Sequence, residues 1–125
     1  QKRAEERLAY FAERAEIAQQ AARAALYEFD PATQAATRDP LIRESLGYTL
    51  EELPDDHSSW ERLIHPDDLP EFRNTVEKAL SRAERFAMEY RVRRKDGGTM
   101  WISDVGRVMR DEAGRPVRIV GMATD

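Results

Sequence analysis

Residues 86–98 read FAMEYRVRRKDGG and carry the clearest secondary-structure signals of the chain. Phe86, Met88, Tyr90 and Val92 alternate with Ala, Glu and Arg, which is the period of a half-buried strand. The KDGG segment then supplies Asp and Gly, which tight hairpin turns favour because both residue types tolerate a positive φ. We therefore predict a strand, a tight turn and a second, antiparallel strand.

The chain beyond this hairpin repeats the pattern. Residues 99–110 are predicted as the second strand, DEAGRP at 111–116 as the next turn, and residues 117–124 as a third strand. Such a meander has two apolar faces: Val92, Ile102 and Ala123 share one face, and Trp101 and Val105 share the other. In a sheet with one solvated face, polar and apolar residues should alternate more regularly along each strand. We therefore expect the outer face to be covered.

Upstream of the hairpin, short strands give way to helices. LYEFD at 26–30 and QAATR at 34–38 flank turn residues and are predicted as two short strands. Asp39 before Pro40 is a helix start, and Gly47 suits the end of that helix. Thr49 with Glu52, and Ser58 with Glu61, have the spacing of capping boxes and predict two brief helices. A longer amphipathic helix is predicted from Asp67 to Ala83.

The first 24 residues contain no Gly or Pro and are rich in helix-forming Ala, Glu, Arg and Gln. Their apolar residues repeat with spacings of four and three, which is a heptad seam. We predict that this helix pairs with a second copy of the chain; the alternative is that it packs on its own domain. The seam positions expected at the dimer interface are Leu8, Phe11, Ala15, Ala18 and Ala22.

Length and composition exclude several classes of protein. A chain of 125 residues fits one domain with a core that needs no disulfide or metal staple, and it contains no cysteine. Acidic and basic residues are interspersed with a net charge of -4, so no nucleic-acid footprint is expected. No apolar run is long enough to insert into a membrane. The start at Gln1 and the end directly after a strand suggest a piece of a longer protein.

The chain resembles a PAS domain of the subclass with a C-terminal PAC motif. The resemblance rests on LYEFDPATQ at 26–34, ESLGYTLEEL at 44–53, WERLIHPDDLPEF at 60–72, EYRVRRKDGG at 89–98, and the strand that ends in VGMATD. Tyr27 and Phe29 stand where the family usually has Trp. The resemblance implies an α+β fold: a five-stranded antiparallel sheet with short helices on one face. It divides the chain into an N-terminal helix, 1–24, and a sensory domain, 25–125.

The resemblance also implies a cavity between the sheet and the helices. A ligand there should be a small organic molecule, apolar or aromatic, oriented by a few polar groups. The alternative is that the same side chains simply fill the core. The candidate pocket residues are Phe29, Leu46, Tyr48, Trp60, Leu63, Ile64, Phe72, Val76, Tyr90, Ile102 and Asp104.

No cofactor or metal is expected. His57 is predicted to lie in a polar loop, and His65 beside Asp67 and Asp68 is interpreted as loop and helix-cap structure. In haem-binding proteins that this chain resembles, the haem ligand typically lies on the longer helix. The predicted long helix contains no histidine, so haem is not expected. Without cysteine, the thiol adduct of light-sensing relatives cannot form. Those relatives also hold the flavin with amide side chains from the last three strands. The resemblance places the apolar residues Val92, Ile102 and Ala123 at those positions.

The predicted function is that of a sensory and dimerisation domain in a bacterial signalling protein. By family precedent it passes a signal to a C-terminal histidine kinase or a GGDEF diguanylate cyclase, with Asp125 at the exit. The alternative is a ligand-free module for protein-protein interaction and dimerisation. No acid and base pair at recognisable spacing suggests an enzyme. The resemblance places the domain in the cytoplasm and leaves membrane anchoring of the parent protein open.

Overall fold

The computed structural model describes residues 2–22 and 24–125; within the first helix it describes the side chains of residues 4–14 and 17. Helices and strands follow one another in the predicted order, except that the brief helix expected at Thr49 does not form. Their bounds are α1 Lys2–Ala22, β1 Ala24–Phe29, β2 Ala36–Arg38, α2 Pro40–Leu46, α3 His57–Glu61, α4 Leu69–Ser81, β3 Arg85–Arg93, β4 Thr99–Arg110 and β5 Pro116–Thr124.

The strands form one antiparallel sheet in the order β2-β1-β5-β4-β3. The meander predicted from residues 86–124 is confirmed, and its first turn has Gly97 at φ 91° with the Arg94 N–H donating to the Gly98 carbonyl over 2.8 Å. β5 lies between β1 and β4, so the last strand of the chain is at the centre of the sheet. The predicted α+β fold with a five-stranded antiparallel sheet is therefore confirmed.

Helix α2 begins and ends at the residues that the sequence predicts. The Asp39 carboxylate accepts from the Leu41 N–H over 3.0 Å, and Gly47 ends the helix at φ 88°. Two other helix-start predictions were wrong. Thr49 and Glu52 form both hydrogen bonds of a capping box, yet the segment makes only a turn.

The start of α3 was also predicted at the wrong residue. Asp56, not Ser58, caps this helix, because its carboxylate accepts from the Ser59 N–H over 2.6 Å. The long helix α4 starts two residues later than predicted and ends two residues earlier. Pro70 lies in its first turn, where its missing N–H breaks no helical hydrogen bond.

The inner face of the sheet packs against α2, α3 and α4. Val92, Ile102 and Ala123 are buried there as the alternation predicted, whereas Trp101 on the outer face is 56% exposed. Leu26, Val105, Met109 and Val117 are also exposed. The described residues of the single chain therefore leave these side chains of the outer face exposed.

Helix α1 also presents apolar side chains to solvent. Leu8 is 71% and Phe11 is 62% exposed, and Tyr10 and Ile17 are exposed as well. The side chains of the other predicted interface residues, Ala15, Ala18 and Ala22, lie outside the described residues. Among the described residues, no helix combines the length and the apolar character needed to cross a bilayer.

Candidate functional site

A cavity of about 60 Å³ lies between the inner face of the sheet and helices α3 and α4. The volume is that open to the centre of a water molecule, and one water needs roughly 10–15 Å³ in this measure. The cavity therefore has room for a few waters or for one small organic molecule. Six aromatic side chains contribute to its wall: Tyr27, Phe29, Trp60, Phe72, Phe86 and Tyr90.

The main polar group of the cavity is Asp104, in the middle of β4. Strand alternation turns it inward with Ile102, and its side chain is buried, with 4% of the residue exposed. The Tyr27 hydroxyl donates to one carboxylate oxygen over 2.6 Å, and the Tyr90 hydroxyl donates to the other over 2.8 Å. The Trp60 indole N–H donates in turn to the Tyr90 oxygen over 3.0 Å. This network therefore links β1, β3 and α3 to the carboxylate on β4.

Burial sets the protonation states in this network. It raises the pKa of Asp104 to about 6, although hydrogen bonds from Tyr27 and Tyr90 act in the opposite direction. Burial and the nearby Asp104 charge raise the pKa of Tyr27 and of Tyr90. At neutral pH the carboxyl is therefore mostly ionised while both tyrosines keep their protons and donate to it.

Tyr27 reaches Asp104 by crossing β5. It pairs in register with Gly121, and a Cβ at that glycine would overlap the Tyr27 ring and hydroxyl. Phe86 covers Gly106 on β4 in the same manner. The two glycines let aromatic rings lie close against the sheet and form the floor of the cavity.

A second charged group, the Arg38 guanidinium, lines the cavity from β2, where Arg38 pairs in register with Tyr27. Its guanidinium donates to the carbonyls of Pro54, over 2.6 Å, and Asp56, over 2.8 Å, and lies 3.9 Å from the Asp55 carboxylate. It also stacks over the Trp60 ring at 5.5 Å from the centroid. Burial lowers the pKa of Arg38, which the Asp55 charge partly offsets. These partners hold the guanidinium at the edge of the cavity.

His57 was predicted to lie in a polar loop, and that prediction was wrong. It is the first residue of α3 and lines the cavity, with its ring centroid 4.5 Å from Phe29 and 6.0 Å from Phe72. Its Nε2 lies 2.8 Å from the Glu61 carboxylate. No group of three His, Asp or Glu side chains in the described part of the chain is arranged to hold a metal ion.

Six of the predicted pocket residues line the cavity: Phe29, Trp60, Phe72, Val76, Tyr90 and Asp104. The other five do not. Leu46, Leu63, Ile64 and Ile102 are buried in the neighbouring core, and the Tyr48 hydroxyl donates to the Arg93 carbonyl over 3.0 Å. Three further lining residues, Tyr27, Arg38 and His57, were not predicted from the sequence, although strand alternation from Phe29 could have indicated Tyr27.

Asp68 has a different role from the predicted helix cap. It precedes α4 but makes no side-chain capping hydrogen bond. Instead its carboxylate accepts from the Arg91 backbone N–H, Nε and guanidinium nitrogen over 2.9, 2.9 and 2.8 Å. The hydrogen bonds from Arg91 lower the pKa of Asp68 to about 2. This pair ties the start of α4 to β3, and the Arg91 guanidinium also lies 5.3 Å from the Trp101 ring centroid.

Asp125, the predicted output residue, follows β5 and is exposed. It borders a small cleft together with Ser45 and Arg94. Arg94 donates to the Ser45 carbonyl over 3.1 Å. Asp125 itself has no ion-pair partner among the residues that the structure describes.

The chain matches one protein family and is similar to proteins of solved structure. The PAS fold family matches residues 36–123. A sensory box histidine kinase/response regulator from Burkholderia thailandensis has a solved structure that is 33% identical, with a TM-score of 0.76 over 90% of this chain and 83% of that chain. The N-terminal domain of a diguanylate cyclase with PAS/PAC sensor from Marinobacter aquaeolei is 26% identical, with a TM-score of 0.73 over 82% of this chain and 94% of that chain.

A curated relative is much longer than this chain. The protein y4lL of Sinorhizobium fredii is 35% identical over 86 residues, which are 66% of this chain and 10% of that protein. The chain therefore spans a tenth of the length of that relative. The family match covers most of the residues from β2 to β5. This chain belongs to the PAS fold family.

Proposed function

We propose that this domain senses a small organic ligand in the aromatic cavity and passes a conformational signal to a C-terminal effector domain of its parent protein. The observation that carries the proposal is the buried Asp104 with its two tyrosine partners beside an open cavity. A cavity of this kind, mostly apolar with a few convergent polar groups, is the usual form of a small-molecule site. PAS domains are sensory modules and not catalysts, so the domain itself has no enzymatic role.

The position of Tyr27 supports a route for the signal. Its side chain runs across β5 at Gly121, and Asp104 pairs in register with Ala123 on the same strand. A ligand that displaces Tyr27 or Asp104 therefore acts on β5, the strand that leads to Asp125. The effector we propose is a histidine kinase or a diguanylate cyclase, as in the two relatives of solved structure.

Ligand binding is tested by a thermal-shift screen with metabolites. A molecule that binds only the native state at 100 times its Kd adds about 2.7 kcal/mol and raises the Tm by several degrees. Val76→Phe places a larger side chain at the cavity and should abolish the shift, whereas Val117→Phe, at an exposed site on β5, should retain it. A shift that survives in the Val76→Phe variant would contradict binding in this cavity.

A second candidate function is ligand-free pairing of subunits. It is favoured by the exposed apolar side chains on α1 and on the outer face of the sheet, because a soluble domain rarely leaves large apolar patches uncovered. Pairing is also compatible with sensing. We propose that α1 of one copy contributes to a homodimer, as the heptad seam predicts.

Replacing Leu8 and Phe11 together by Glu is expected to shift the chain from dimer to monomer, because two charges in an apolar seam must be desolvated on pairing. Sedimentation measures the change. The matched control is Ala9→Glu with Ala12→Glu, which adds the same charge one position further along the helix, rotated away from the seam. A wild-type chain that sediments as a monomer at about 100 μM, well above the Kd of specific interfaces, would refute the dimer.

Asp125→Ala in the full-length protein is expected to leave the Tm of the domain unchanged and to alter effector output. The residue is exposed and unpaired in the described chain, so little stability depends on it, whereas the connection to the effector passes through it. Kinase or cyclase activity is measured with and without stimulus. Glu112→Ala, in the exposed turn before β5, is the control. Normal basal and stimulated output in Asp125→Ala would exclude Asp125 from coupling.

A further inference from the structure

The charge of Asp104 has no cationic partner among the residues that the structure describes. Each carboxylate oxygen accepts one tyrosine hydroxyl, but a carboxylate offers about four lone-pair sites in total. Two acceptor sites are therefore available for a donor from the cavity. Among the described residues no Lys, Arg or His forms an ion pair with Asp104, and buried charges normally have a partner of opposite sign.

The two basic side chains in the wall, Arg38 and His57, have other partners than Asp104. Arg38 is engaged by the Pro54 and Asp56 carbonyls and by the Asp55 charge. His57 is hydrogen-bonded to Glu61. The Asp55 charge partly offsets that of Arg38, and an anion in the cavity would be repelled by Asp104. The electrostatics of the cavity therefore favour a cation.

The rest of the wall also suits a cation. Ring faces attract a positive charge within about 6 Å, most strongly when water is excluded, and six aromatic residues line this cavity. A carboxylate surrounded by aromatic rings binds an ammonium group through one charged hydrogen bond and several ring contacts. The volume of about 60 Å³ restricts the ligand to a short alkyl or single-ring molecule.

We infer that the cavity binds a small primary amine in its protonated form, with the ammonium on Asp104 and the carbon skeleton among the aromatic rings. This inference rests on the proposed sensing function and specifies the chemical class of its ligand. Tyr27 and Tyr90 would fix the carboxylate in place, so that the ammonium meets a preformed acceptor.

Two sets of compounds with equal skeletons and different charge test the inference. The first is isobutylamine, isobutanol and isobutyrate; the second is benzylamine, benzyl alcohol and benzoate. Titration calorimetry at pH 7.5, where alkyl amines are protonated as lysine is, measures the affinity of the full chain for each compound. We expect an amine to bind at least tenfold more tightly than the alcohol of the same skeleton, and the carboxylate not to bind.

Variants connect that preference to Asp104. Asp104→Asn keeps the shape and one acceptor oxygen, and it should reduce amine affinity at least tenfold while leaving alcohol affinity within a factor of three. Glu28→Gln removes one charge from the outward, exposed side of β1 and should change neither. Because the charge series is measured on the wild-type chain, the test does not depend on the folding of a variant.

The outcomes separate the two proposals. Alcohols that bind as tightly as the amines, or carboxylates that bind more tightly, would overturn the amine inference and leave ligand sensing standing. Amine binding that is equal in wild type and Asp104→Asn would also overturn it. If none of the six compounds binds, the amine inference fails, whereas ligand sensing is decided by the metabolite screen and the Val76→Phe variant.

Discussion

Asp104→Asn is expected to stabilise the ligand-free domain by about 3 kcal/mol at pH 7.5, because it removes a buried charge. Burial raises the folded-state pKa of Asp104 to about 6, from an ordinary value of 3.8. A raised pKa means that the folded state holds the proton more tightly than the unfolded state does. The associated stability is complete below about pH 4 and is lost as the pH rises through about 6.

Asparagine does not titrate, so the two proteins should differ in pH dependence. The difference in the free energy of unfolding should be small at pH 4 and should reach its full size above pH 6. Urea denaturation at several pH values measures it. The Asn side chain can accept one tyrosine hydroxyl and donate to the other oxygen, so the hydrogen-bond network survives in a neutral form.

Glu28→Gln provides the control, because this carboxylate is exposed on the outer face of the same sheet. Its stability should follow the wild-type curve within about 0.5 kcal/mol, as surface substitutions generally do. An Asp104→Asn variant that is less stable than wild type at pH 7.5, or that differs equally at all pH values, would show that the carboxylate is not destabilising. If Asp104 also binds amines, the expected result would mean that the carboxylate that binds the ligand lowers the stability of the ligand-free domain.

The sheet was predictable because its signals are local. Alternation in residues 86–93 and Asp-Gly chemistry in KDGG specify a strand and a turn without reference to the rest of the chain. The predicted helix at Thr49 failed for a reason that is also visible in the sequence. Pro54 lacks the N–H that would bond to the Leu50 carbonyl, and its ring would clash there, so the capping box closes one turn and the helix ends.

The cavity was harder to predict because it depends on strand order. Tyr27 and Asp104 are 77 positions apart and meet only because β5 inserts between β1 and β4 and offers a glycine where the tyrosine crosses. Similarly, His57 lies in a polar sequence, and only the packing of α3 brings its ring against Phe29 and Phe72. Leu46 and Ile102 show the opposite error, since their burial was foreseen but they fill the core beside the cavity.

Gly121→Ala is expected to destabilise the domain by about 2.5–6 kcal/mol. The glycine has no positive φ, so the reason lies in space and not in backbone conformation. An added Cβ would overlap the Tyr27 ring, and overpacking of this kind costs about 1–3 kcal/mol. The displaced ring would also lose its hydrogen bond to Asp104, and a hydrogen bond to a charged group contributes about 1.5–3 kcal/mol. Denaturant unfolding measures the sum.

Gly106→Ala separates the two contributions. Phe86 covers Gly106 as Tyr27 covers Gly121, but Phe86 has no hydroxyl and no bond to Asp104. Gly106→Ala should therefore cost only the packing contribution, about 1–3 kcal/mol. Equal losses in the two variants would mean that the hydrogen bond from Tyr27 to Asp104 adds nothing to stability.

A double-mutant cycle tests whether the loss arises at Tyr27. Tyr27→Ala alone empties the space above Gly121, and the methyl group of Gly121→Ala then has room. The double variant should therefore be more stable than the sum of the single losses implies, by at least about 1 kcal/mol, as is usual for side chains in direct contact. Additive losses would place the damage elsewhere on β5 and would remove the physical basis for a signal that passes from the cavity through Tyr27 to the last strand.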